Sequence, residues 1–204
     1  MANFTLNWTP NINSNVSSQQ AEYRRKSVGG AYNSSGFVPG NPLLTTDNTT
    51  SITGLLDNVV YEFRISNFCT EGRTYTANSE AIKFGCVTPT EAHTDTNITA
   101  TVSSLPSDIT KVRFSLLNFD GSSLLQGPIV VNTSAGSCSN IFSGLTPDTA
   151  YIIRVEFVAL INGVEVTSTL NTCQVSVTTN LPGDMFLING SDSMLINGSD
   201  TLTI

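Results

Sequence analysis

Charged side chains are scarce in this sequence: Asp, Glu, Lys and Arg together make up 12% of 204 residues, about half the usual share. The charge sums to −7 with a pI near 4.5, so phosphate backbones are repelled and nucleic acid is not an expected partner. Histidine occurs once, at His93, which rules out a multi-histidine metal centre and leaves a Ser-His-Asp arrangement with one candidate base. Its setting, Glu91-Ala92-His93-Thr94-Asp95, reads as an exposed edge. No Gly-x-Ser-x-Gly elbow, phosphate loop or dinucleotide fingerprint is present. The acids Asp47, Asp57, Glu62, Glu71, Asp108, Asp120, Asp148, Glu156 and Glu165 read as turns and strand edges. No cleft scaffold holds two of them at the roughly 5 or 6.5–9.5 Å that glycoside hydrolysis uses. The expectation is a protein without catalysis, cofactor or metal.

Long apolar runs are also missing. Nothing nears the roughly 20 residues of a membrane span, so no membrane partner is expected. The opening Met1-Ala2-Asn3-Phe4-Thr5-Leu6-Asn7-Trp8 has neither the basic stretch nor the roughly 7–15-residue apolar core of a signal peptide, and the protein is expected to stay where it is made. Four cysteines, Cys69, Cys86, Cys138 and Cys173, allow three complete pairings and none has metal spacing. Without an oxidising compartment the favoured reading is free, half-buried thiols. Nine Asn-x-Ser/Thr sequons follow from the abundance of Asn, Ser and Thr and imply no secretory route. The one cationic cluster, Arg24-Arg25-Lys26, reads as an exposed strand edge where charge blocks unwanted pairing.

What is present is a repeat. Leu55-Leu56-Asp57-Asn58-Val59-Val60-Tyr61-Glu62-Phe63-Arg64-Ile65 recurs as Leu145-Thr146-Pro147-Asp148-Thr149-Ala150-Tyr151-Ile152-Ile153-Arg154-Val155. Leucine leads tyrosine by six in both, and the phrases lie 90 residues apart. Each is a turn, then a tyrosine, then an alternating strand, the pattern of a corner entering the central strand of a β-sandwich. A tyrosine there buries its ring while its hydroxyl meets upstream backbone.

The second phrase, Leu145 to Tyr151, resembles the fibronectin type III signature. Leu6-Asn7-Trp8 followed by Glu22-Tyr23-Arg24 is similar to that family's second and third strands. The resemblance covers roughly residues 1–180 and implies an all-β chain of two tandem fibronectin type III-like β-sandwiches, 1–87 and 88–180. A tail follows, 181–204. Trp8, Tyr23, Leu55, Tyr61, Leu145 and Tyr151 are the expected core. In secreted bacterial modules resembling this one, cysteines placed as Cys69 and Cys86 are here recur. For function the resemblance is nearly silent, because such modules sit on many kinds of protein.

Domain 1 begins within what reads as the second strand, with Phe4, Leu6 and Trp8 on one face and no room for a first strand; its neighbouring edge is expected to be unpaired. Residues 11–20 and 28–41 read as polar loops, 61–68 as the strand after the corner, 70–73 as a hairpin tip and 81–84 as the last strand. In domain 2, strands are expected near 90–94, 98–102 and 111–116. Ile98 is taken as the counterpart of Trp8, and 151–161 with 164–177 form a long hairpin about Asn162-Gly163. The tail repeats Leu-Ile-Asn-Gly-Ser-Asp at 187–192 and 195–200, and two Asn-Gly turns predict a β-hairpin or three-stranded meander; turn chemistry, rather than calcium ligation, accounts for its Asn and Asp. So small a sheet does not bury enough to stand alone. It is expected to dock, making Phe4, Leu6, Phe186, Ile188, Leu195, Ile196, Leu202 and Ile204 candidate assembly contacts.

Taken together, these features resemble a structural protein of a tailed bacteriophage. That likeness implies a non-enzymatic tail, collar or fibre-adaptor component of the virion, whose partners are other virion proteins and copies of itself. The alternatives are a capsid decoration protein, a secreted or surface adhesion module binding host-surface glycans through Tyr32, Phe37 and Tyr75, and an accessory module of a polysaccharide-degrading enzyme.

Overall fold

Apolar residues recur at every second position through most of the chain, and extended backbone is the conformation that puts them on one face. The computed structural model describes residues 1–10, 15–26, 38–168, 173–182, 188–189 and 193–194, and it contains strands and no helix among them. Domain 1 consists of β1 (Ala2–Asn7), β2 (Val16–Arg25), β3 (Val38–Leu43), β4 (Thr49–Leu55), β5 (Val60–Cys69), β6 (Gly72–Tyr75) and β7 (Ser79–Ile82). β1 pairs with β4, and the facing sheet runs β3-β2-β5-β6 with β7 also on β5. Domain 2 consists of β8 (Thr90–His93), β9 (Asn97–Val102), β10 (Ile109–Asn118), β11 (Leu124–Asn132), β12 (Cys138–Ser143), β13 (Ala150–Ile161), β14 (Val164–Thr167) and β15 (Cys173–Thr178). Its sheets run β12-β9-β8 and β11-β10-β13-β14, with β15 also on β13. Both domains have the strand order of a fibronectin type III sandwich. In the tail, β16 (Ile188–Asn189) and β17 (Ser193–Met194) form a two-stranded antiparallel pair; the second expected turn lies outside the described residues.

The two tyrosine corners form as the repeat predicts. Tyr61 Oη accepts from the Leu56 amide at 3.2 Å and Tyr151 Oη from the Thr146 amide at 3.0 Å. Leu55, Tyr61, Leu145 and Tyr151 are buried, whereas Trp8 and Tyr23 are half-buried and lie against the domain 1 core from its margin. Trp8 is held there by donating its indole Nε1–H to Gln19 Oε1 at 3.1 Å. In the domain 2 core Phe114, Phe142 and Phe157 are fully enclosed, each contributing roughly 1.5–3 kcal/mol by burial.

Several expectations are corrected. The loop placed at 11–20 ends by Val16, where β2 begins, and the end of the loop placed at 28–41, which holds Pro39-Gly40, belongs to the strand β3. β3 is an edge strand, where prolines lose no ladder bond. Arg24 and Arg25 pair with β5, and the described pairing of β2 with β3 stops at Tyr23. Arg24 Nε meets Glu62 Oε2 at 2.5 Å and Lys26 Nζ meets Glu80 Oε1 at 2.6 Å. Glu62 is accordingly buried in the middle of a sheet rather than on a turn or edge. The counterpart of Ile98 is Phe4, not Trp8. Ile98 faces Phe142 and Phe4 faces Ile52, and 142 − 52 is 90 while 98 − 4 is 94.

Cysteine use also differs from the expectation of free thiols. Cys86 and Cys173 form a disulfide with Cα atoms 5.3 Å apart, while Cys69 and Cys138 are free. Burial raises the pKa of the Cys138 thiol, keeping it protonated and unreactive. The bond ties the linker to β15 and belongs to a wider joint. Asn58 bonds both backbone groups of Gly85, at 3.1 and 3.0 Å. Val60 N–H donates to Asp108 Oδ2 at 3.1 Å and Asn162 N–H to Glu80 Oε2 at 2.8 Å. Ile82, Phe84 and Val87 lie against the domain 2 core. The sandwiches are thereby fastened by apolar contact, hydrogen bonds and a covalent link.

Candidate assembly surface

β1 and Trp8, which follows it, turn Phe4, Leu6 and Trp8 toward the core and Thr5 and Asn7 outward, because successive side chains alternate across a strand. Phe4 is half-buried and packs against the core, its ring 5.1 Å from Phe63 and 6.2 Å from Tyr61. Leu6 is half-buried and lines a groove of roughly 310 Å³ between β1 and the irregular stretch joining β6 to β7. Thr5, Asn7 and Trp8 form one wall, Thr76, Ala77 and Ser79 the other, with Phe63 and Ile65 also lining it. The groove runs alongside a free backbone edge, since β1 pairs with β4 alone among the described strands.

The outer face of the β2-β5 sheet is an ordered charge lattice. Cross-strand register places Glu22 opposite Arg64 and Arg24 opposite Glu62, the complementary arrangement that stabilises neighbouring strands. Glu22 receives two guanidiniums, Arg64 Nε at 2.7 Å and Arg73 through a further short contact. Arg64 stacks on Tyr75 with its guanidinium carbon 3.9 Å from the ring centre, and Arg73 lies over Phe68 at 4.4 Å. Tyr75, one of three candidate sugar-stacking residues, therefore has a ring face occupied by an arginine. Tyr32 and Phe37 lie outside the described residues.

His93 sits exposed on β8 with Nδ1 2.6 Å from Glu91 Oε2. Among the described residues no three His, Cys, Asp or Glu side chains gather as a metal site would require. The tail contacts Phe186, Leu195, Ile196, Leu202 and Ile204 lie outside the described residues; Ile188 belongs to β16. A second exposed surface is absent from the sequence expectations: the edge strand β11 shows Leu124, Leu125, Ile129 and Val130 to solvent. The signal was there, two apolar runs flanking Gly127-Pro128, but such runs are also what a buried strand looks like.

No family model and no curated protein matches this sequence. Among solved structures, the chain is similar to a two-domain fibronectin type III segment of chicken tenascin, at 13% identity and a TM-score of 0.49, covering 87% of this chain and 92% of that one. It is also similar to the FN1–FN3 domains of chicken CNTN1, at 11% identity and a TM-score of 0.32, covering 87% of this chain and 60% of that one. The fold assignment rests on strand order and the paired tyrosine corners; function is not inferred from these likenesses.

Proposed function

We propose that this protein is a non-enzymatic structural component of a tailed-bacteriophage virion, a tail, collar or fibre-adaptor element that acts as a stiff two-module spacer. The joint is the observation that carries the reading. A tandem held by a disulfide, two polar contacts across the boundary and a shared apolar seam resists bending, whereas domains joined only by a linker move independently. Rigidity of this kind suits a part whose task is to hold its neighbours at fixed separation. Mass spectrometry of purified tailed-phage particles whose genome encodes the chain tests it: the protein is expected at a fixed copy number, and its absence from intact particles overturns the proposal.

The disulfide also favours a second reading, a secreted or surface-displayed adhesion module, because such bonds persist in oxidising surroundings. Virion surfaces are oxidising too, so the bond does not separate the two. Recovery of the protein from the cell surface or medium without particles would favour the adhesion module.

A further inference from the structure

We infer that β11 is a two-fold contact between two copies of this chain: the strands lie antiparallel about Gly127, with Leu124 of one copy beside Val130 of the other and Leu125 beside Ile129. β11 pairs with β10 alone among the described strands, is 9 residues long and carries no charged side chain. A long, uncharged, apolar edge invites pairing, and proteins ordinarily blunt such edges with charge. Two other edge strands of domain 2 show the contrast: β14 carries Glu165, bonded to Lys111, and β8 carries Glu91 and His93. Consecutive residues of a strand face opposite ways, yet Leu124 and Leu125 are 48% and 50% exposed, and Ile129 and Val130 are 37% and 54% exposed. Both faces of β11 are therefore open at two places, as on a strand that overhangs the rim of its sandwich.

Symmetry names the occupant. Leu125 and Ile129 each stand two residues from Gly127, and Leu124 and Val130 each stand three. Turned end for end, the strand presents the same arrangement to itself, which is what a two-fold interface demands. The faces agree as well. Leu124 is opposite Leu117 and Val130 opposite Arg113, positions that alternate with the core residues Val112, Phe114 and Leu116, so this pair lies on the outer face of the sheet. Ile129 is opposite Phe114, and Leu125 falls at the register shift beside Leu116, so the second pair lies on the inner face. The backbone fits the same register. The Thr133 amide donates to Thr110 O at 3.0 Å and the Asn118 amide to Ser123 O at 3.1 Å, and ladder groups alternate in direction along an antiparallel pair. Ile129 and Val131 therefore turn their N–H and C=O groups to β10, while Leu124 and Val130 turn theirs away from it. About Gly127 these become hydrogen-bonded partners across the two copies, twice by symmetry; Pro128 has no N–H, so the centre adds no such bond. Asn132 ends β11 beside Lys111, near the Asp108 that meets domain 1, so the antiparallel arrangement carries the two first domains to opposite ends, clear of each other. Size sets the strength. The four side chains expose about 300 Å² in the single chain, within the range where an apolar patch marks a contact surface, but short of the roughly 800 Å² per partner of a standard interface. A reversible, micromolar dimer follows. A partner with a charged face would lose water against β11 without gaining a counter-charge, whereas a second β11 buries none.

Sedimentation velocity over a range of concentrations tests it with two variants of the full chain, Leu124→Glu and Val130→Lys. Both positions are about half exposed in the single chain, so both variants are expected to fold, which circular dichroism checks. Val130 lies opposite Arg113, so a lysine there finds no counter-charge on the neighbouring strand. The unaltered protein is expected to run as a monomer–dimer equilibrium. Each variant alone is expected to associate at least about tenfold more weakly, because its introduced charge is set against an apolar side chain with no partner. An equimolar mixture is expected to recover one-to-one dimers: the introduced glutamate meets the introduced lysine at one end, and the unaltered Leu124 and Val130 meet at the other. An unaltered protein that stays monomeric, its β11 covered by another segment of the same chain or kept for a different partner, overturns the inference. So does a variant that associates like the unaltered protein, or a mixture that stays monomeric. Particle mass spectrometry is read separately, so failure of the mixing experiment sinks the β11 contact and leaves the structural role standing.

Discussion

Tyr151 shows how much one hydroxyl does in a sandwich this size. Its ring is buried and its oxygen is the acceptor for the Thr146 amide at 3.0 Å. Tyr151→Phe keeps the ring and strands that amide, so it is expected to cost about 1–2 kcal/mol, read as a shift in the denaturant midpoint. Tyr151→Ala also leaves a cavity and is expected to cost about 3–5 kcal/mol, enough to unfold domain 2. The charge lattice of domain 1 has a comparable residue in Glu22. Replacing it by Ala leaves Arg64 and Arg73 facing each other without their shared carboxylate. Both arginines are partly exposed, so water relieves part of the loss, and roughly 1–3 kcal/mol is expected rather than the larger penalty of a fully enclosed pair. Thermal melting checks it; an unchanged midpoint would mean that the lattice contributes nothing to stability.

Between Ile161 and Val164 the β13–β14 hairpin turns on Asn162 and Gly163, both at positive φ, 50° and 80°, the conformation that Asn-Gly adopts most readily. This turn also touches the other domain, since Asn162 N–H donates to Glu80. Gly163→Val forces a β-branched residue into left-handed backbone and is expected to cost about 1–2 kcal/mol. Limited proteolysis should then show faster cleavage near the linker, because the turn and the joint are one structure. Elements like this one were legible because their signals are local: the Asn-Gly turn, the leucine-to-tyrosine spacing and the alternation in β1 each act within a few residues. β3 was not, since its prolines speak against a strand unless its edge position is known. Nor were Glu22 and Glu62 as buried ions, because their burial depends on which strand lies alongside, and register is not written in either strand alone. The groove beside β1 was half legible: the alternation of Phe4, Leu6 and Trp8 was written in the opening residues, but its far wall at Thr76–Ser79 required the tertiary fold.

In the whole molecule the joint links sequence-distant residues, and two of its elements respond to chemistry. The disulfide closes a span of 87 residues; losing it in Cys173→Ser is expected to cost about 4 kcal/mol on the chain-entropy view, most visibly as a lower melting temperature for domain 2. Asp108 answers to pH. Burial raises its carboxyl above its ordinary value, against the opposing pull of the Val60 amide and then of Arg25 and Lys26. The folded state thus holds that proton more tightly than the unfolded chain does. The associated stability is complete below the ordinary carboxylate pKa and is lost as pH rises through the raised folded value. Asp120 runs the other way: hydrogen bonds from Ser122 lower its pKa, so its contribution is present above the ordinary value and lost in acid. A whole-protein pH profile mixes the two, and a difference separates them. Asp108→Asn cannot titrate, so subtracting its unfolding free energy from that of the unaltered protein isolates the group. Between about pH 3 and about pH 6 that difference is expected to fall as pH rises, measured by urea unfolding at fixed salt. A difference that rises instead would mean that the cations at the joint outweigh its burial, and that Asp108 serves the tandem as an ion pair rather than as a buried acceptor for Val60.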